Sequence, residues 1–536
     1  MRACISNSTN GRGQAAGSRA QTPGRIAGGA ALLALGLASL AGCRVGPKYV
    51  APNPPAPPAF KEAAPAAYND APPGTWAPAQ PQDAVLKGKW WEVFNEPELN
   101  GLEEQLDINN QNIAQFFQNF MAARTQVREA KTQFYPTVTT DPSFSRAKTP
   151  GTLHNVVATG TAQTGATSAS ASGTTSSVLS LPFDVSWEPD LWGKVRNTVS
   201  EFQFAAQVSA ATLENERLTE QADLAELYFQ LRGQDALQDV LNQTVDADRK
   251  SLELTRTLVD TGIDNPESVA QAEVTLENAQ EVSTGIAQNR AIFEHAIATL
   301  IGKAASDFSL PVKSLSTPVP AIPIGLPSQL LQRRPDVAAA ERTMAEANAV
   351  IGVEKAAYYP TLSLTGAGGL ESSHISTLFS LPALFWSAGA SASETIFDAG
   401  LRKATVAQFQ AQYNADAAAY KQTVLTAFQQ VEDFVATLRV TSAQIQQEDT
   451  AVRSAQTYVD LATQRYKAGL DPYLDVITAQ TTLLSDQQTA VTLRVNEMTA
   501  AVELVQALGG GWNVNQLPAA RTITNKGAAT AAANTP

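Results

Sequence analysis

Between Leu401 and Ala468 the chain reads LRKATVAQFQAQYNADAAAYKQTVLTAFQQVEDFVATLRVTSAQIQQEDTAVRSAQTYVDLATQRYKA, and neither proline nor glycine interrupts it. Ala, Gln, Leu, Val and Glu fill the run, and breakers return only at its ends, at Gly400 and Gly469. One helix of this extent, at 1.5 Å per residue, spans about 100 Å. A second such stretch lies earlier, since no proline occurs from Asp190 to Asn265. No compact globule needs helices of that length. A coiled coil, or a tube built from coiled coils, does. With 17% charged residues the chain carries too little Glu and Lys for an isolated soluble rod.

Candidate strands precede each long helix. Leu179, Leu181, Phe183, Val185 and Trp187 alternate with Ser180, Pro182, Asp184 and Ser186, a period of two with one apolar and one polar face. Trp386, Ala388, Ala390, Ala392 and Ile396 repeat this less cleanly, with Glu394 breaking the pattern. Two further candidates follow Tyr-Pro dipeptides, at Thr137 to Phe144 and Thr361 to Gly366. Strands of this kind suit a transmembrane barrel with a wet lumen, although alternation alone also fits a soluble sheet with one solvated face. Four strands per chain cannot close a useful barrel, whereas three chains would supply twelve.

The chain also repeats itself. A shift of 207 residues pairs Gly262 with Gly469, Asp264 with Asp471, Ala272 with Ala479, Leu276 with Leu483 and Gly302 with Gly509. A second register pairs Lys131, Tyr135, Pro136 and Thr137 with Lys355, Tyr359, Pro360 and Thr361. Each half therefore reads helix, strand, strand, long helix, tight turn, helix, and a duplicated chain favours a quasi-symmetric tube.

The ends are of another kind. Arg2, Arg12, Arg19 and Arg25 precede an apolar stretch from Ile26 to Ala41, which closes on Leu40-Ala41-Gly42-Cys43. That is the layout of a lipoprotein signal peptide over residues 1–42, with Cys43 as the lipidated first residue of the mature chain. Two or more acyl chains there would anchor firmly. Cleavage removes Cys4, so no disulfide is expected. Residues 43–85 are rich in proline and alanine and read as a tether. The remainder divides into a first repeat at 86–325, a second at 326–515, and a disordered tail at 516–536.

Function classes fall away in turn. A net charge of −13 disfavours a nucleic-acid partner. His154, His295 and His374 stand far apart in no ligand-spaced motif, and there is no lone-Cys nucleophile, no phosphate-cradling loop and no cluster of His or Cys. No cofactor and no metal site are expected, and function must come from shape.

Several motifs then carry a resemblance. Val45-Gly46-Pro47-Lys48-Tyr49, Trp90-Trp91-Glu92-Val93-Phe94 and Ser186-Trp187-Glu188-Pro189-Asp190-Leu191-Trp192-Gly193 occur in that order. Leu326-Pro327-Ser328 with Arg333-Arg334-Pro335-Asp336-Val337, Phe397-Asp398-Ala399-Gly400, Tyr473-Leu474-Asp475-Val476 and Ala507-Leu508-Gly509-Gly510-Gly511-Trp512 complete the series. From Cys43 to Trp512 the chain resembles the TolC/OprM-like outer-membrane efflux proteins, in their NodT-type lipoprotein branch. The resemblance implies a mainly helical fold with a transmembrane β-barrel. Each protomer would give four strands, and a homotrimer would form a twelve-stranded barrel continued by a periplasmic helical barrel. It also implies an inner-membrane pump of the resistance-nodulation-division type and a periplasmic adaptor as partners, with the channel passive in the outer membrane.

The same resemblance places a gate at the helix-helix turns, Gly262-Ile263-Asp264-Asn265-Pro266 and Gly469-Leu470-Asp471-Pro472. Arg465 and Tyr466 would close it with Leu474 as an apolar constriction, and Asp471 and Asp475 would favour cations. Ser268 and Thr478 stand where some family members carry an acid, which weakens the acidic part of that expectation. Two other readings remain open at this point. One is a lipid-anchored periplasmic coiled-coil scaffold, and the other is a channel for a heavy-metal or protein exporter. Met121, Met344 and Met498 are too few to suggest a soft-metal route.

Overall fold

The structure, a computed structural model, describes residues 44–52, 57, 59–62, 88–149, 174–315, 317–322, 331–520 and 522–524. The signal segment and Cys43 lie outside the described residues, as do Leu326-Pro327-Ser328 and His154. A 3-10 turn at Trp90–Phe94 leads into α1 (Pro97–Asn109) and α2 (Gln111–Thr132). Strands β1 (Thr137–Thr139), β2 (Ser143–Thr149) and β3 (Thr174–Trp187) follow, then α3 (Lys194–Asp260) and α4 (Pro266–Leu300). The second half repeats this order with α5 (Pro335–Ala356), β4 (Thr361–Ser372), β5 (Leu384–Ser393), α6 (Leu401–Lys467) and α7 (Tyr473–Ala507).

The duplication is carried through to the residue. Both α3 and α6 have 67 residues, both α4 and α7 have 35, and both α2 and α5 have 22. Glycines set the ends. Gly193 (φ 82°) and Gly400 (φ 89°) precede the long helices, and Gly262 (φ 74°) and Gly469 (φ 70°) terminate them. After each terminator the chain folds back in the same way. Ile263 N donates to Leu258 O at 2.9 Å and Leu470 N to Arg465 O at 3.0 Å, which satisfies carbonyls left over at a helix C-terminus. Pro335 opens α5 with Asp336 in its first turn, where a fixed proline φ and an acid near the positive end of the helix dipole are both favourable.

The five strands occupy four positions in one antiparallel sheet, ordered β1–β3–β4–β5, with β2 also on β3. The expected strand over Thr137–Phe144 is broken. Its two pieces hold one register on β3 (Thr139 opposite Asp184, Ser143 opposite Ser180), and pairing lapses where Pro142 and Pro182 offer no N–H. Thr140 Oγ1 donates to Pro182 O at 2.7 Å across that gap. Register then sorts the faces. Leu181, Phe183, Val185 and Trp187 stand beside Leu370, Gly368, Gly366 and Leu364, and beyond these lie Leu384, Trp386, Ala388 and Ala390. Val138, Phe144, Phe183 and Trp386 are exposed on this apolar face. The other face carries Ser180, Asp184 and Ser186 with Glu371 and Thr365. Ile396, expected in the last strand, lies past its end and is exposed.

The main core sits where the two halves meet, along the long helices and away from the sheet. Trp90, Phe94, Leu99 and Leu106 pack with Tyr228 and Phe229 of α3 and Val502 and Leu504 of α7, all essentially buried. Arg232 is buried among them. It donates to Asp235 at 2.8 Å and to Pro311 O at 2.7 Å, and it lies over the Tyr228 ring. A separate small core, with Leu252, Leu258, Leu276, Tyr466, Tyr473 and Val476, forms at the far end.

Two terminal expectations change. The part of the tether next to Cys43 is laid on the body: Val45 N donates to Trp192 O at 3.0 Å, and Arg44 Nη2 reaches Ser200 Oγ at 2.9 Å. Asn197 Nδ2 donates to Val45 O and Asn348 Nδ2 to Pro47 O. Of the tail expected to be disordered from 516, residues 516–520 and 522–524 are described and tied to the body, with buried Arg124 donating to Ile523 O at 2.6 Å. Gln207 likewise donates to Pro518 O at 2.8 Å.

Candidate functional site

Each long helix begins beside the sheet and ends at a turn roughly 100 Å away by helical rise, so both turns meet at the tip distal to the sheet. All five expected residues lie there. Arg465 and Tyr466 end α6, Asp471 sits in the turn, and Leu474 and Asp475 open α7. The arginine and the tyrosine nevertheless engage different partners. Arg465 makes a two-pronged ion pair with Asp471 of its own turn, with Nη2 to Oδ1 at 2.8 Å. Tyr466 points into the tip core and donates to Asp264 Oδ2 of the other turn at 2.6 Å, with Thr255 Oγ1 at 3.1 Å. Its ring packs on Tyr473 with centroids 5.2 Å apart.

The electrostatics follow from these contacts. Hydrogen bonding to Asp471 raises Arg465, and the same contact lowers Asp471, so the carboxylate field expected from Asp471 is neutralised locally. Burial alone would raise Asp264. Donation from Tyr466, the Asn265 N–H and Ser268 outweighs it and holds the carboxyl below its ordinary value. Burial, then the bond to Asp264, pushes the Tyr466 phenol up. Ser268, noted for lacking an acid, therefore serves the acid of the neighbouring turn, with Oγ 2.9 Å from Asp264 Oδ1.

Leu474 is 58% exposed, as are Ile263 (61%) and Leu470 (68%) at the two turn apices. The backbone is duplicated here, but the chemistry is not. At the 207-residue shift the counterparts of Arg465 and Tyr466 are Leu258 and Val259, so only the second hairpin carries the polar latch. The role of Asp264 as the acceptor that ties the hairpins together was not legible beyond its turn position. Thr255 gave no signal in the sequence, being a single residue on a helical face, and Tyr473 stood out only as part of the Tyr473-Leu474-Asp475-Val476 motif, with no partner indicated. Among the described residues no group of three or more His, Cys, Asp or Glu could hold a metal, and no helix is long and apolar enough to cross a membrane. Met344 and Met498 are buried in the main core.

Residues 102–303 and 326–510 match the model of the outer membrane efflux protein family, and the chain belongs to that family. It is 30% identical over 475 residues to the antibiotic efflux pump outer membrane protein ArpC of Pseudomonas putida, covering 88% of this chain and 93% of that one. It is 28% identical over 492 residues to outer membrane protein OprJ of Pseudomonas aeruginosa, covering 89% and 94%. Among solved structures, the outer-membrane channel OprN shares 26% identity and superposes with a TM-score of 0.77 over 88% of this chain and all of that one. The open-state MtrE channel of Neisseria gonorrhoeae, at 23% identity and a TM-score of 0.72, shares the fold. The expected fold class stands, and the protein is the outer-membrane channel component of an efflux system.

Proposed function

We propose that three copies of this chain form a passive conduit, lipid-anchored through Cys43, that receives small organic molecules from an inner-membrane pump of the resistance-nodulation-division type through a periplasmic adaptor. The sheet carries the assembly part of this reading. It has four strand positions, two open edges and an uncovered apolar face, and three such sheets would close a twelve-stranded barrel with the polar face inside. Docking of Arg44–Tyr49 at the sheet-to-helix junction would hold the lipid at the membrane surface. Antibiotic or solvent-like cargo is proposed because relatives are named antibiotic and toluene efflux pump outer membrane proteins. The scaffold alternative would leave the Phe183–Trp386 face in water without a purpose. Catalysis plays no part, and no cofactor is needed.

At the tip, Tyr466–Asp264 and Arg465–Asp471 act as the closed-state latch, with Leu474 narrowing the passage and Asp475 beside it. Ile263 and Leu470 offer an apolar surface to the adaptor. The test is planar-bilayer conductance of the purified protein beside an Arg465→Ala, Tyr466→Ala double variant. Small cation-selective currents that rise in the variant are expected. Equal currents would move the gate away from this latch. No conductance, from protein that stays soluble without detergent, would replace the channel with the scaffold.

A further inference from the structure

Near the tip, α4 and α7 each pack along α3 but barely meet each other. The groove between them opens into a cavity of about 680 Å³, within the range of small-molecule sites. Its walls are apolar, with Val274 and Val282 from α4 and Ile477 and Leu484 from α7. Val274 is 60% exposed there. Two oxygens among the lining residues lack partners. Asp248 is 2% exposed, and its Oδ1 accepts no hydrogen bond. Gln480 spends its amide nitrogen on Ser251 Oγ at 3.3 Å, which leaves its Oε1 unmatched. A buried carboxylate oxygen without a donor is costly, and an apolar residue would pack α3 against α7 more cheaply. The only other charged residue lining the cavity is Glu267, so its charge is entirely negative.

We propose that this cavity is a binding site for a lipophilic organic cation, whose apolar body lies against Val274, Val282, Ile477 and Leu484 and whose charged nitrogen faces Asp248. Inorganic cations fit it poorly, since apolar walls offer no replacement for their hydration shell, and anions meet two carboxylates. A bound cation would bridge α4 to the first turns of α7, beside Leu474, and so join the two hairpins at the level of the tip. The site is intrinsic to one protomer and does not depend on the gate assigned to Arg465 and Tyr466.

Burial pushes the Asp248 carboxyl up to about 6, so the site carries its charge at neutral pH and loses it on acidification. The titratable groups around it are Tyr473 on α7 and Glu267 on α4. The experiment is calorimetric titration of the full-length protein with benzyltriethylammonium at pH 7.5 and pH 5, with benzenesulfonate as the anionic control. Saturable binding of the cation alone is expected, weakened at least tenfold at pH 5. The near-isosteric Asp248→Asn should weaken it at least tenfold at pH 7.5 and flatten the pH response, while Val274→Trp, which fills the groove, should abolish binding. Equal binding of cation and anion, or affinity unchanged in Asp248→Asn, overturns the proposal. So does absence of binding in the parent protein. Cooperative melting of both variants, at no lower temperature than the parent, guards against a folding defect.

Discussion

Tyr466 shows how much one side chain can hold. Among the described residues its hydroxyl makes the only polar contact that joins the turn of one hairpin to the end of the other. Tyr466→Phe keeps the ring against Tyr473 but removes the donor to Asp264 Oδ2, at a cost on the order of 1 kcal/mol. Faster amide exchange over residues 258–268, with the main core unaffected, is the expected outcome. The pH response has a definite sign. The folded value of Asp264 is depressed, so its contribution is present above the unfolded carboxylate range and is lost as pH falls below about 4. Asp248 runs the opposite way. Its raised carboxyl makes the tip less stable as pH climbs from about 4 to about 6. Asp248→Asn should therefore slow exchange in the tip-side end of α3 at pH 8 and change little at pH 4. An equal effect at both would show that the charge is not what matters. Neither role could be read in advance, because each depends on what faces the residue across a helix interface.

At the level of elements, close approach is bought with glycine. Gly233 sits inside α3, where glycine costs about 1 kcal/mol relative to alanine. A Cβ there would stand 2.4 Å from Val495 Cγ2, so only glycine lets α3 and α7 meet at that point. Gly233→Ala should destabilise by about 1–3 kcal/mol through overpacking, and Val495→Ala in the same chain should recover part of the loss. Thermal melting of the two variants would decide this. Gly352 does the same for the N-terminal segment. A Cβ would fall 2.6 Å from Asn197 Nδ2, the group that holds Val45 O. The lengths of these helices were legible, since the absence of proline and the glycine stops are local signals. The break between β1 and β2 was also latent in Pro142 and Pro182, but it took the pairing register to bring the two prolines into adjacent rows of one gap, Pro142 facing Leu181 and Pro182 facing Asp141.

At the scale of the whole molecule, the sheet's two faces make the sharpest prediction. Phe183→Arg and Trp386→Arg place a cation on the apolar face, where a bilayer midplane would penalise each by about 2–4 kcal/mol. Loss of trimer and of outer-membrane fractionation is expected for both. Ser180→Arg, on the polar face of the same strand, should assemble normally. Equal tolerance of all three would argue against a lipid-facing sheet. The mass of the core lies elsewhere, around Trp90, Phe94 and Phe229 between the halves, so the sheet can await its neighbours while the protomer is already folded.

The sequence by itself determined the long helices, their glycine-bounded turns, the duplication and the two-faced strands, because each rests on periodicity or on a residue's own backbone preference. It also placed Arg465, Tyr466, Asp471, Leu474 and Asp475 at one end of the molecule, since residues flanking a tight turn must share it. Only the tertiary structure decided that Arg465 and Tyr466 part company, that Asp264 receives the tyrosine, and that Arg44–Tyr49 and Ile523 are tied to the body. Those are contacts between segments far apart in the chain. Spacing along the sequence carries no trace of them, and burial and partner geometry select them only once the helices have packed.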